Sequence, residues 1–154
     1  MKKITGLLIG IAILLLNIAI AENKMDTKKI INMDPAQLDK AEMFAVEDYP
    51  FMKLVEGEDP KAGAVTNFVS ADGKLDIGFS RYSKITLQLS DWPVDEFMYF
   101  LEGQVEITDE DGSAKIYGPG DAIVMPKGFN GTWRQLSPIK KINISYPMDD
   151  TSFE

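Results

Sequence analysis

The 154-residue chain contains no cysteine and no histidine. Without cysteine there are no disulfides, no thiolate nucleophile and no sulfur-ligated metal. Without histidine the usual general base near neutral pH, and the commonest transition-metal ligand, is missing. Any chemistry must come from carboxylates, Lys, Arg, Tyr, Ser, Thr or amides. Positive charge is also short: 16 Lys and Arg stand against 24 Asp and Glu, for a net charge of −8, which argues against a nucleic-acid partner. What is present suits a single globular domain, with 45% hydrophobic residues to build a core.

The first 21 residues read as a secretory signal peptide. Met1-Lys2-Lys3 is a basic start, residues 4–20 are almost wholly apolar, and Ala19-Ile20-Ala21 fits the small-x-small cleavage pattern. Cleavage after Ala21 would remove Lys2 and Lys3, taking the charge from −8 to −10, and send the protein to the periplasm or outside the cell. The competing reading is an uncleaved anchor, since the apolar stretch approaches the length of a short transmembrane helix, and only then would the membrane be a partner. Residues 22–50 read as a tether followed by a short helix. In Met33-Asp34-Pro35 the aspartate is a helix N-cap and the proline suits the first helical position. Leu38 and Met43 are expected to face inward.

Residues 51–154 have the rhythm of a β-barrel. Strand-like runs are expected at 51–55, 64–69, 75–80, 84–90, 96–101, 104–108, 114–117, 122–125, 131–136 and 141–146, with a charged loop over 56–63. Asp72-Gly73 and Asp111-Gly112 are hairpin-turn dipeptides. Thr86-Leu87-Gln88-Leu89 alternates as a half-buried strand does. Many short strands with little helix predict a sandwich or barrel.

Two stretches are more specific. Glu96 is followed after six residues by Gly103, in EFMYFLEG, and Gly120 after five by Pro126 and then Gly128, in GDAIVMPKG. With the acidic hairpin between them, these spacings resemble the two signature motifs of the cupin superfamily. They look like the branch that includes ureidoglycine aminohydrolases and ethanolamine-utilisation cupins. The resemblance covers about residues 64–146 and implies an all-β, single-domain, cupin-type jelly-roll barrel with a short helical N-terminal arm. In metal-binding cupins a His-x-His pair precedes the glutamate. Here the matching places fall among Leu89, Ser90, Asp91 and Trp92, and the second motif's histidine position is Gly131. Glu96 alone keeps a ligand position.

The expected state is therefore a cupin with no cofactor. The alternative is a divalent cation held weakly by the oxygens of Glu96, Asp91 and Gln135. Strand alternation places Glu96, Met98 and Phe100 on one face, and Trp133 and Gln135 beside Gly131 on another. These five residues are the candidate ligand-binding set, with Glu96 also the candidate catalytic residue. Trp133 is expected to fill the space a histidine at Gly131 would have taken. Glu96 could be satisfied instead by Arg81, Lys84 or a backbone N–H, and Tyr82 and Tyr99 are candidate proton donors. The leading expectation is an exported small-molecule-binding cupin whose ligand carries an amine or amide. The alternatives are a C–N hydrolase of the ureidoglycine aminohydrolase kind and a structural or partner-binding barrel with a filled core. Open sheet edges would allow a homodimer.

Overall fold

The computed structural model describes residues 29–148, so the leader at 1–21 and the start of the tether lie outside the described residues. A 3-10 helix, Pro35–Lys40, opens the described chain. Asp34 Oδ1 accepts a hydrogen bond from Ala36 N at 3.0 Å, and Leu38 is fully buried. Beyond it the chain forms strands β1 (Phe44–Ala45), β2 (Met52–Glu56), β3 (Lys61–Val69), β4 (Asp76–Tyr82), β5 (Thr86–Leu89) and β6 (Asp95–Glu102). These are followed by β7 (Val105–Asp109), β8 (Ala114–Tyr117), β9 (Ala122–Met125), β10 (Gly131–Gln135) and β11 (Ile139–Tyr146).

The expected strands all form, with small shifts at their ends. Two details differ. The helical stretch ends early, and Phe44–Ala45 extends to pair with Lys61 and Ala62. The loop over 56–63 is also shorter than its composition suggests, because β3 begins at Lys61. That strand end is fixed by the Ser83 hydroxyl, which accepts from Lys61 N at 2.8 Å.

The strands form two sheets packed face to face. One has six strands in the order β1-β3-β4-β11-β6-β9, the other five in the order β2-β5-β10-β7-β8. All the pairings are antiparallel. This is the jelly-roll arrangement, with the core between the sheets. The 3-10 helix packs outside, against β3 and β4. It is tied there by Lys140, which reaches Asp39 at 2.9 Å and Glu102 at 3.0 Å, and by Arg81 Nη2, which donates to the Ala41 carbonyl at 2.7 Å.

Three features position the interior. First, β6 alternates exposed and buried from Asp95 to Phe100, as its pattern predicts, so Glu96, Met98 and Phe100 point in while Phe97 and Tyr99 point out. Second, Gly103 turns the chain after β6 at φ +78°, and a side chain there would collide with the Pro138 carbonyl, so only glycine fits. Third, the pairing of β11 with β6 slips by one residue: Lys140 faces Glu102, but Lys141 faces Phe100, which leaves Leu101 as the extra residue of a bulge.

Candidate functional site

The inner face of the six-stranded sheet is unusually polar for a barrel core. Its central strands β4, β11 and β6 align in three rows: Ser80, Lys141 and Phe100; Gly78, Asn143 and Met98; Asp76, Ser145 and Glu96. The facing wall, from the five-stranded sheet, is apolar: Met52, Leu87, Leu89 and Trp133 are all buried. Between the walls about 70 Å³ is open to the centres of water-sized molecules. A buried water needs roughly 10–15 Å³ on that measure, so the cavity has room for several waters or a small ligand.

The centre of the polar wall is an ion pair. Lys141 Nζ donates to Glu96 Oε1 at 2.6 Å, and the two side chains are only 5% and 8% exposed. The same ammonium lies 5.9 Å from the centre of the Trp133 ring, within range of a cation–π contact. Removing two charges from water is costly, and a short, charge-assisted bond offsets much of that cost. Asp76 lies in the same row as Glu96, with Ser145 between them, and is 1% exposed. Its carboxyl is pushed up to about 6, chiefly by burial; the Thr66 hydroxyl opposes the rise and the Glu96 carboxylate adds to it. Tyr82, at the cavity wall, has its hydroxyl pushed up by burial; Lys141 opposes that rise and Glu96 adds to it.

Of the five candidate ligand-binding residues, Glu96, Met98, Trp133 and Gln135 line the cavity. Phe100 does not. It is fully buried behind the wall, its ring 6.1 Å from that of Trp133 and 6.4 Å from that of Tyr117. Gln135 reaches the cavity, but its amide is committed: with its nitrogen turned to the Ser83 carbonyl it donates there at 2.5 Å, and its oxygen accepts from Trp133 Nε1 at 3.0 Å. It therefore fixes the indole. Glu96 takes Lys141 as its partner rather than Arg81, Lys84 or a backbone N–H. Tyr99 is on the outer surface.

Of the three residues considered for a cation, Glu96 and Gln135 line the cavity and Asp91 does not. Asp91 is exposed and sits at φ +51°, its backbone N–H bound to Asn130 Oδ1 at 2.9 Å. Asp95 Oδ1 accepts from Lys127 N at 2.9 Å. Among the described residues no group of three or more carboxylates is placed to hold a metal ion. The space at Gly131 is filled differently from expectation. A Cβ there would meet the Thr108 carbonyl oxygen and, at 2.7 Å, the ring of Phe129, so Phe129 rather than Trp133 occupies it. Phe129 is held in place where its carbonyl accepts from Trp92 N at 3.0 Å.

Lys141 is the site residue that the sequence did not single out. In the run Ile139-Lys140-Lys141 both lysines read as surface charge. Period-two alternation from buried Ile139 and Ser145 offered a signal, because it places Lys141 on the same inward face.

No protein of curated function matches the chain in sequence. Residues 88–142 match the EutQ-like cupin domain, a stretch running from β5 into β11 that includes Glu96, Trp133 and Lys141. Several solved structures share the fold. Clostridium difficile EutQ is 21% identical with a TM-score of 0.50, covering 58% of this chain and 71% of its own. A DUF861-family protein of unknown function from Pseudomonas syringae pv. tomato is 19% identical with a TM-score of 0.62. That match covers 73% of this chain and 46% of the other, so this chain spans less than half of its length. A protein of unknown function from Rhizobium leguminosarum bv. viciae is 22% identical with a TM-score of 0.54, covering 79% of this chain and all of its own. At these identities the likeness concerns the fold alone. The chain therefore has the cupin-type jelly-roll fold.

Proposed function

We propose that this protein binds a small molecule inside its barrel, anchored by the Lys141–Glu96 pair where metal-binding relatives would use histidines. The observation that carries this reading is an ion pair buried at the wall of an open cavity rather than inside a filled core. Preformed, mostly apolar cavities with a few convergent polar groups are the usual form of ligand sites. The open space weighs against a barrel that serves only as a structural module. A hydrolase acting on C–N bonds, the alternative raised by the resemblance to ureidoglycine aminohydrolases, would use the same carboxylate through the oxygen that Lys141 leaves free, and it is distinguished by release of ammonia from ureidoglycine. The signal-like leader at 1–21 would deliver the binding activity to the periplasm or beyond.

Native mass spectrometry of protein purified from its own host tests the proposal. The wild type should carry a small organic molecule that a Lys141→Gln, Glu96→Gln double variant has lost. A wild-type mass equal to that of the bare chain, or retention of the molecule by the double variant, would overturn it. The same spectrum reports whether the chain begins at Glu22.

A further inference from the structure

We infer that the ligand is a small uncharged primary amide, bound head-on to the Lys141–Glu96 pair with its hydrocarbon part against Trp133, Leu87 and Leu89; this rests on the binding proposal above.

The argument begins with what the pair leaves unused. An ammonium has three donors, and Lys141 spends one on Glu96 Oε1. Among the described residues its other two donors and Glu96 Oε2 have no protein partner. The pair thus offers a donor and an acceptor side by side. A primary amide presents the complement, a carbonyl oxygen beside an NH₂ group, on one rigid plane. Its oxygen accepts from Lys141 Nζ and one of its N–H groups donates to Glu96 Oε2. Among the described residues, two further groups that line the cavity on this wall are buried without a hydrogen-bond partner, the Ser80 hydroxyl and Asn143 Oδ1, as is the Asp76 carboxyl beyond Ser145. Asn143 Oδ1 can accept the amide's second N–H, and Ser80 can donate to the carbonyl.

Charge then selects among ligands of similar shape. The pair is neutral as a unit, and the facing wall is apolar. A carboxylate or an ammonium ligand would bring a net charge with no counter-charge against this largely apolar lining, which is costly, whereas a neutral dipolar group brings none. Asp76 is the one further carboxyl in this part of the polar wall. It lies beyond Ser145 and does not line the cavity. Size sets the last limit, since the space suits about five to seven water-sized atoms.

The test compares three molecules of one shape: propionamide, propionate and propylammonium. Each is titrated into ¹⁵N-labelled protein while the Trp133 indole N–H is followed by NMR. The series is run near pH 7, where propionate and propylammonium are both ionised, and is repeated with Asp76→Asn so that the charge of that carboxyl does not decide the order. Propionamide should saturate the shift at a concentration at least about tenfold below either ion. Glu96→Gln leaves an unpaired cation and should turn the preference to propionate. Lys141→Gln leaves an unpaired anion and should turn it to propylammonium. The double variant leaves no buried charge unpaired, so it should fold where a single variant does not, and it should favour neither ion while binding propionamide far more weakly than the wild type. Wild-type protein that binds either ion as tightly as propionamide, or binds none of the three, overturns the inference, as does a double variant that prefers an ion. If propionamide fails while a co-purified molecule is present, the ligand class is wrong and the binding proposal stands.

Discussion

Lys141 and Glu96 meet at 2.6 Å although they start far apart on neighbouring strands. Glu96 sits opposite Ser145, and Lys141 lies four residues before Ser145 on the same strand, about 13 Å at the usual strand rise. The two side chains therefore extend toward each other along the inner wall, across the row that holds Asn143 and Met98. Shortening either one breaks the contact.

Removing one partner should cost far more than removing both. Lys141→Met strands the Glu96 carboxylate in the barrel and should destabilise the fold by about 3 kcal/mol. Lys141→Met combined with Glu96→Leu should lie within about 1 kcal/mol of wild type, because both desolvation costs disappear with the bond. Urea unfolding of the three proteins measures this. Equal losses in the single and double variants would mean that the pair is hydrated and contributes little.

Asp76 gives stability a distinctive pH dependence. Its folded pKa of about 6 lies above the ordinary 3.8, so the folded state holds this proton more tightly than the unfolded chain. The contribution is full below about pH 4, falls as pH rises to about 6, and is then flat, a loss on the order of 2–3 kcal/mol. Asp76→Asn should remove that loss. The variant should be more stable than wild type at about pH 7.5 and should converge with it toward pH 4. Unfolding curves at both pH values decide the matter, and a variant with the wild-type pH dependence would exclude burial of the charge.

Gln135 is a clamp rather than a free ligand contact. Gln135→Leu keeps the bulk but leaves the Ser83 carbonyl and Trp133 Nε1 without partners, which should cost about 1–3 kcal/mol. In ¹⁵N spectra the Trp133 indole signal should move strongly and that of Trp92 little. Equal movement of both would indicate a general loosening of the barrel.

Gly131 cannot accept the histidine its motif position invites. The Thr108 carbonyl belongs to the paired strand and cannot withdraw, and the Phe129 ring fills the remaining space. Gly131→Ala should already cost about 1–3 kcal/mol. Gly131→His should gain no affinity for Ni²⁺ or Zn²⁺ in calorimetric titration, since the side chain has no room to point inward. Tight metal binding by a folded Gly131→His variant would show that the loop at Phe129 yields.

These residues mark what was legible in the sequence. Alternation grouped Glu96, Met98 and Phe100 on one face of β6, the motif position of Glu96 indicated that this face turns in, and the glycine and proline spacing around it pointed to the barrel. The helix start at Asp34 was equally local, a cap followed by a proline. Lys141 was not legible, because two adjacent lysines at the start of a strand look like solvent-facing charge, and only pairing across the sheet tells which one turns in. The Gln135 clamp depends on a carbonyl 52 residues earlier in the chain, at Ser83, which no local pattern reports. Strand β1 is two residues long, too short to show a period.

The bulge opposite Lys140 and Lys141 takes up one residue, Leu101, at the end of β6. Beyond it the ladder runs in step from Lys141 opposite Phe100 to Tyr146 opposite Asp95, and Lys140 still meets Glu102 outside. The irregularity is thus confined to the rim of the sheet. A residue gained or lost between Phe100 and Gly103 could be absorbed there, so the charge pattern of the chamber is insulated from changes in chain length at that edge.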